Sequence, residues 1–131
     1  SPNDIVAVAE ESNVDLTGVS LFYYEVYDYQ WNDTKSAWEK VSPVEAFKTD
    51  VVIPTAKRLE GYDIVTFWAG NSPECSPLSC NGLAEEIPTN QHCLLTSIED
   101  AKKLLEDGKF INSEPGPYKI FAVYTIDDWT L

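Results

Sequence analysis

Three cysteines and the only histidine of the chain are the residues whose types could support covalent chemistry. If residues 80–87 form a short helix, Cys80 lies at its start, where exposed amides and the helix dipole favour a thiolate. His92 would then act as the base, and Cys75 as a resolving partner that forms a reversible disulfide. This interpretation predicts a thiol-dependent enzyme or redox switch with Cys80, His92 and Cys75 as its catalytic residues.

Cysteine and histidine are also the ligands of structural zinc sites. The spacing disfavours a metal here, because Pro77 interrupts the interval between Cys75 and Cys80. His92 and Cys93 are adjacent, and neighbouring residues of a strand point to opposite faces. Burial is the simplest role for Cys80 and Cys93, since cysteine is among the residues most often found inside proteins. The sequence therefore predicts no metal site.

Aromatic residues form the second candidate site. Aromatic faces beside a carboxylate attract cations through charge pairing and cation–π contact. The ligand-binding residues predicted on this basis are Tyr27, Tyr29, Trp31, Trp38, Trp68 and Glu25. The competing interpretation is that these rings belong to the core of a sheet and to its cross-strand contacts.

Charge is the least ordinary feature of the chain. There are 22 acidic residues against 9 basic ones, which gives a formal net charge of −13. No base precedes Lys35, and neither lysine nor arginine occurs between Arg58 and Lys102. Because nucleic acids and anionic membranes attract clustered bases, we expect no direct binding to either. A basic protein or a cationic small molecule is the favoured partner, unless the acidity only maintains solubility.

Three classes of function are compatible with these residues. The first is a binding module that engages a basic protein or a cationic ligand through an acidic or aromatic surface. The second is the thiol-dependent enzyme or redox switch. The third is a nucleic-acid mimic whose carboxylates imitate phosphates. The sequence leaves open whether the chain is an enzyme, and it contains no phosphate-binding loop or other cofactor motif. We therefore predict no cofactor.

The odd number of cysteines favours a reducing compartment, because small secreted proteins usually carry cysteines in pairs. We therefore expect a cytoplasmic location. No apolar run approaches the ~18 residues that a membrane-spanning helix needs, so a membrane protein is not expected.

Two strands and a hairpin carry clear local signals. Residues 19–31 are rich in aromatic and β-branched residues, and residues 118–126 are similarly apolar, so both are predicted strands. A turn leads from the first of these to a second strand at 37–41. This hairpin would place Trp31 near Trp38.

One helix is predicted at about residues 97–107. Thr96 and Glu99 have the spacing of a capping box, and Gly108 supplies a C-terminal stop. The apolar stripe of this helix consists of Ile98, Ala101, Leu104 and Leu105.

Weaker patterns complete the expected elements. Further strands are predicted at 62–68 and 92–95, short helical turns at 43–47, 54–60 and 80–87, and a short helix or strand at 5–8. The order of elements predicts an α+β fold. It would have a mostly antiparallel sheet of about four to six strands, with the helix and the helical turns packed on one face. We expect residues 1–131 to form a single compact domain.

Overall fold

A four-stranded antiparallel sheet with three helices forms the fold. The computed structural model describes residues 1–41, 51–70, 72–80 and 86–127, and at Cys80 only the backbone. The elements are α1 (Pro2–Glu11), β1 (Phe22–Asn32), β2 (Ala37–Lys40), β3 (Lys57–Thr66), α2 (Pro77–Cys80), α3 (Ile98–Glu106) and β4 (Tyr118–Ile126). The strand order is β2-β1-β4-β3, and every neighbouring pair is antiparallel. The predicted α+β fold is confirmed.

The β1–β2 hairpin confirms the predicted contact between two tryptophans. Trp31 and Trp38 lie directly opposite each other, and their ring centroids are 5.2 Å apart in an edge-to-face arrangement. The Asn32 side chain stabilises the turn by accepting a hydrogen bond from the Lys35 amide at 3.0 Å. Such an aromatic pair stabilises a sheet by about 0.5–1 kcal/mol.

The α3 helix has the predicted extent, but its first capping residue differs. Ser97, and not Thr96, is the N-cap, because its hydroxyl accepts a hydrogen bond from the Asp100 amide at 3.1 Å. Gly108 ends the helix as predicted, in a left-handed conformation with φ 69°. The adjoining amides of Gly108 and Lys109 donate to the carbonyls of Leu105 and Leu104, which is a Schellman motif.

Packing of α3 against the sheet forms the hydrophobic core. Ala101 and Leu105 of α3 are fully buried against Ile64 and Ile120 of the sheet. The remaining buried members of this cluster are Leu78, Ile87, Leu95, Phe110 and Tyr118. The hydroxyl group of the buried Tyr118 has a hydrogen-bond partner, because it donates to the Glu114 carbonyl at 2.7 Å.

Two weaker predictions fail in the described residues. Residues 57–60 belong to β3 and not to a helical turn, because Lys57 pairs with Ile126 across the sheet. Residues 92–95 do not form a strand. Cys93 has φ 59°, and only Leu95 forms a bridge, to Tyr62. The turn predicted at 43–47 lies outside the described residues, as do residues 81–85 of the predicted helix.

Residues 5–8, for which a helix or a strand was expected, belong to α1. Ser1 and Asp4 form a capping box at its start. Ala9 is the only buried residue of this helix, whereas Ile5 is 41% and Val8 60% exposed. In contrast to α3, this helix therefore leaves much of its apolar surface uncovered. No helix in the described part of the chain is long and apolar enough to cross a membrane.

The outer edge of β3 is closed by loops. The Glu60 carbonyl accepts from the Asn90 side chain at 2.6 Å, and Tyr62 exchanges two backbone hydrogen bonds with Leu95. The Ile64 amide donates to the carboxylate of its neighbour Asp63 at 2.9 Å. At Thr66, the amide donates to the Cys75 carbonyl and the carbonyl accepts from the Glu74 amide.

Candidate functional site

The predicted catalytic cysteines differ in their surroundings. Cys75 follows β3, is disulfide-bonded, and donates its amide to Thr66 Oγ1 at 3.2 Å. The backbone of Cys80 belongs to α2 (Pro77–Cys80), and residues 81–85 of the predicted helix lie outside the described residues. Cys93 is an exposed free cysteine.

His92 lies apart from Cys75. Its Nε2 is 3.3 Å from a carboxylate oxygen of Glu60, whereas Cys75 contacts Thr66. Residues 60 and 66 are separated along β3 by roughly 20 Å at the usual rise of a strand. The structure therefore does not bring this histidine to the disulfide-bonded cysteine.

Glu60 is the centre of the charged cluster that holds His92. The Thr125 hydroxyl donates to Glu60 at 2.6 Å, and Arg58 Nε lies 3.6 Å away. The hydrogen bond from Thr125, the Arg58 charge and the contact with His92 together lower the pKa of Glu60. Arg58 also pairs with Asp127 at 3.1 Å. His92 thus belongs to a surface network of charges on β3 and β4.

The carboxylate predicted to bind a cation is occupied by a lysine of the chain itself. Lys57 Nζ forms an ion pair with Glu25 and lies 5.1 Å from the Tyr23 ring and 4.6 Å from the Tyr124 ring. The Tyr124 hydroxyl donates to the second oxygen of Glu25 at 3.3 Å. The hydrogen bond to Glu25 raises the pKa of Lys57. Aromatic rings and a carboxylate do recognise an ammonium here, but the ammonium is internal.

The other predicted ligand-binding rings differ in their contacts and exposure. Lys102 Nζ lies 4.7 Å from the Tyr27 ring, whose centroid is 5.8 Å from that of Tyr29. Trp31 and Trp38 pack against the core, and the Trp38 indole donates to Glu106 at 2.9 Å. Trp68 follows β3 and is 60% exposed. Tyr27 of β1 also lines a hollow of about 630 Å³, and Trp31 lines one of about 180 Å³.

Three neighbouring hollows follow α1 and β1. One, of about 420 Å³, lies against α1 and is lined by Ile5, Val8 and Val14. A second, of about 490 Å³, shares Ile5 with the first and lies between α1, Phe22 and residues 51–54. The third, of about 630 Å³, continues along residues 23–28 of β1. We call the surface formed by these hollows the α1–β1 surface.

The lining of the α1–β1 surface is mainly apolar. Besides the residues already named, the second hollow includes Pro2, Leu21 and Ile126, and the third includes Val41, Pro73 and Phe121. Val14 and Val52 are also exposed. A contiguous exposed apolar surface of this kind is typical of an interaction site.

The helix that forms part of this surface carries exposed acidic residues. Asp4, Glu10, Glu11 and Asp15 are exposed on and after α1, and no lysine or arginine precedes Lys35. Lys57 and Arg58, which begin β3, are both engaged in ion pairs. An excess of exposed carboxylates produces a negative field, which attracts cations in general.

Two buried ionisable groups lie on the sheet face opposite α3. Burial raises the pKa of Asp63, although the Ser76 hydroxyl donates to its carboxylate at 2.5 Å. Burial lowers the pKa of Lys119, whose Nζ lies 4.1 Å from the Phe67 ring. In the described residues, no group of histidine, cysteine and carboxylate side chains is arranged to hold a metal ion.

Comparison with known proteins gives no relative. No protein-family model, no curated protein sequence and no solved structure matches this chain. The functional argument therefore depends on the geometry of the α1–β1 surface.

Sequence reasoning identified part of this surface and missed the rest. Glu25 and Tyr27 were predicted site residues, whereas the exposed side of α1 and the side chains of Tyr24 and Val26 were not. Two signals pointed to them. The start of the first predicted strand is apolar on both faces, and the acids before Lys35 are not balanced by any base.

Proposed function

We propose that this protein is a binding module that holds a basic, partly apolar segment of a partner protein on the α1–β1 surface. The observation that carries the proposal is the combination of contiguous apolar hollows with exposed acids on α1, in a part of the chain that has no lysine or arginine before Lys35. Apolar contact would supply affinity, and the carboxylates would select a cationic partner over an anionic one.

The exposure of Ile5 and Val8 supports an interaction role for α1. Both residues lie on one side of the helix, one turn apart, and line the first hollow. A helix that served only to cover the sheet would direct these side chains inward, as α3 does with Ala101 and Leu105. Their burial by a partner would contribute about 25 cal/mol for each Å² of apolar surface removed from water.

Helix stability does not explain the position of Glu10 and Glu11. They occupy the last turn of α1, which contains no base. The C-terminal end of a helix carries a partial negative charge, so carboxylates there destabilise the helix by about 0.3–1 kcal/mol each at low ionic strength. Contact with a basic partner would reverse this unfavourable interaction.

The geometry supports a protein partner over a small cationic ligand. The carboxylate and the rings best suited to a single ammonium, Glu25 with Tyr23 and Tyr124, already hold Lys57. The remaining surface is long and shallow, and it combines apolar hollows with carboxylates spaced along a helix. A peptide segment can use both features at once.

A selection from displayed random peptides tests the proposal. We expect the bound peptides to be enriched in lysine or arginine together with apolar residues, and their affinity to fall as salt is added. The double substitution Glu10→Lys/Glu11→Lys should weaken binding at least about tenfold, since it replaces attraction with repulsion. Fluorescence anisotropy with a selected, labelled peptide measures both effects.

A second double substitution provides the matched control. Glu99→Lys/Asp107→Lys changes the same number of charges at the two ends of α3, where the effects on the helix dipole are opposite in sign. It should leave affinity within about threefold, because only long-range charge is altered. Enrichment of acidic peptides in the selection would exclude the α1–β1 surface as the site. An equal loss of peptide affinity in the two double variants would exclude it as well.

A further inference from the structure

We infer that the partner segment binds as an added antiparallel strand along the open edge of β1, an inference that rests on the binding function proposed above. β2 pairs with β1 only from Tyr29 to Asn32. The Val41 amide then donates to the Asp28 carbonyl at 2.8 Å, and β2 has ended. In the described part of the chain, no strand pairs with β1 before Asp28 on that side.

The direction of the backbone groups follows from one hydrogen bond. The Leu21 carbonyl accepts from the Ile126 amide at 3.0 Å, so the peptide groups of Leu21 face β4. Strand groups alternate between the two edges, so those of Phe22, Tyr24 and Val26 face away from β4. In the described part of the chain, no backbone hydrogen bond reaches these three residues from that side.

The third hollow lies along this edge. Its lining includes every residue from 23 to 28 of β1. Successive side chains of a strand point to opposite faces, so a hollow that contacts all of them lies beside the strand and not over one face. Its volume of about 630 Å³ is space into which an extended segment can enter. A neighbouring strand would lie about 4.8 Å from β1.

The side chains of β1 define the sequence pattern of the segment. Tyr24 is 53% and Val26 36% exposed, and both share a face with Phe121 of β4. Residues opposite them would be apolar, since directly opposite residues of a sheet lie on the same face. Residues between those would lie on the face of Glu25. Glu25 is the carboxylate on that face and already pairs with Lys57, so a base there is favoured over an acid mainly by the net charge of the chain. Asp28 has the parity of Tyr24 and Val26. It is exposed, has no ion pair among the described residues, and can attract a base at the end of the segment. The predicted segment alternates apolar and basic residues.

Charge selects a basic partner over a second copy of this chain. Two copies paired along β1 would bring Glu25 and Asp28 of one copy close to those of the other, and each copy carries a net charge of −13. Like charges across a strand pair are destabilising. A segment with lysine or arginine at alternate positions has no such cost and gains from the same field.

Peptide N-methylation tests the mode of binding. The probe is a peptide of alternating valine and lysine, compared with one form methylated at the valine nitrogens and one methylated at the lysine nitrogens. In antiparallel pairing the valine amides face β1, so methylation there should weaken binding at least about tenfold through lost hydrogen bonds. Methylation of the lysine nitrogens should leave the affinity within about threefold, since those amides face solvent.

Hydrogen exchange gives an independent measurement. The amides of Tyr24 and Val26 should exchange quickly in the free protein and become protected when the unmethylated peptide is bound. The Tyr62 amide, which donates to Leu95 at 2.8 Å, should be protected in both states and serves as the internal control. Slow exchange at Tyr24 and Val26 in the free protein would show that the edge is already paired and would overturn the inference.

A substitution at Val26 of β1 tests the same hydrogen bonds by changing the protein instead of the peptide. Val26→Pro removes a backbone amide that faces the hollow and leaves the amides that pair with β4 in place. It should therefore weaken binding of the unmethylated peptide at least about tenfold. Val26→Thr retains the amide and should bind within about threefold of the unaltered protein. The methylated peptides decide the question if Val26→Pro does not fold.

The outcomes separate strand addition from the binding function itself. Equal binding of all three peptides, still reduced by Glu10→Lys/Glu11→Lys, would retain the binding module and exclude strand addition. Loss confined to the peptide methylated at lysine would indicate parallel pairing and overturn the antiparallel arrangement. Absence of binding by every peptide would overturn both proposals. Protection of Tyr24 and Val26 that rises with protein concentration would identify a second copy as the occupant.

Discussion

The outward backbone groups of β3 and of β1 differ in whether the described residues supply them with hydrogen-bond partners. Along β3, the outward backbone groups of Glu60, Tyr62, Ile64 and Thr66 bond to a side-chain amide, to a loop backbone or to a neighbouring carboxylate. Along the first part of β1, groups in the same orientation face a hollow. Proteins usually cover or charge a sheet edge, because an open edge pairs with other chains. Among the described residues, β3 is therefore covered along its outer edge, whereas the first part of β1 is the edge that the proposed binding mode uses.

Gly61 is the position at which the closed edge is most easily opened. A Cβ atom there would lie 2.6 Å from the Leu95 carbonyl oxygen and 2.8 Å from the Leu94 Cβ, so the loop would have to move. We expect Gly61→Ala to lower the free energy of unfolding by about 2–3 kcal/mol. Urea denaturation followed by tryptophan fluorescence measures the change.

Gly70→Ala is the control for Gly61→Ala. Gly70 also has a positive φ, of 93°, but an added Cβ would meet no atom within 4 Å. Its substitution should cost about 1 kcal/mol through backbone strain alone. Equal losses at the two glycines would show that the close approach of the 94–95 loop does not stabilise the edge of β3.

Thr66 closes the other end of the same edge and should have a smaller effect. Its buried hydroxyl donates to the Cys75 carbonyl and accepts from the Cys75 amide, both at 3.2 Å. Thr66→Val keeps the shape and removes both bonds, so we expect a loss of about 1–2 kcal/mol in urea denaturation. Thr34→Val, in the exposed β1–β2 turn, should change stability by less than about 0.5 kcal/mol. A similar loss at both positions would contradict a role for this hydroxyl.

Substitution of Asp63 should give the smallest effect on stability, and the size of that effect depends on pH. Burial raises its pKa above the ordinary value of 3.8, so the folded state holds the proton more tightly than the unfolded state. The contribution of this group to stability therefore falls as pH rises from 3.8 through the folded pKa. Charged Asp63 thus destabilises the protein at neutral pH.

Asp63→Asn should consequently raise the urea midpoint at neutral pH. The asparagine carbonyl can still accept the bonds from Ser76 and from the Ile64 amide. We expect the gain to shrink as pH is lowered through the folded pKa, because the native carboxyl then becomes neutral too. Asp28→Asn, at an exposed position, is the control. A midpoint for Asp63→Asn that is lower than that of the unaltered protein at neutral pH would show that the charge itself stabilises β3.

Local patterns in the sequence were sufficient for much of the fold. Aromatic and β-branched residues predicted the β1–β2 hairpin and β4, and periodicity with Gly108 predicted α3. The first residues of β3 were assigned to a helical turn, because their pairing with β4 is a long-range contact that local sequence does not reveal. The N-cap was misplaced by one residue because Thr96 and Ser97 are both good caps.

The candidate site was harder to predict from the sequence, because it too depends on long-range pairing of strands. Glu25 and Tyr27 were recognised by type, but the occupation of Glu25 by Lys57 depends on two strands that lie on either side of β4. The open edge of β1 depends on where β2 stops, which is a property of pairing and not of composition. Residue types indicate what chemistry is available, whereas the strand register determines which side chains meet.

The carboxylates at the end of α1 have a thermodynamic consequence for any partner. Glu10 and Glu11 oppose the dipole of their own helix, so a cation that binds beside them stabilises the helix as well as the complex. Such coupling is reciprocal. A change that makes α1 more stable in the free protein should therefore tighten the complex, even where it touches no atom of the partner. Affinity at this surface is thereby linked to the helix–coil equilibrium of α1.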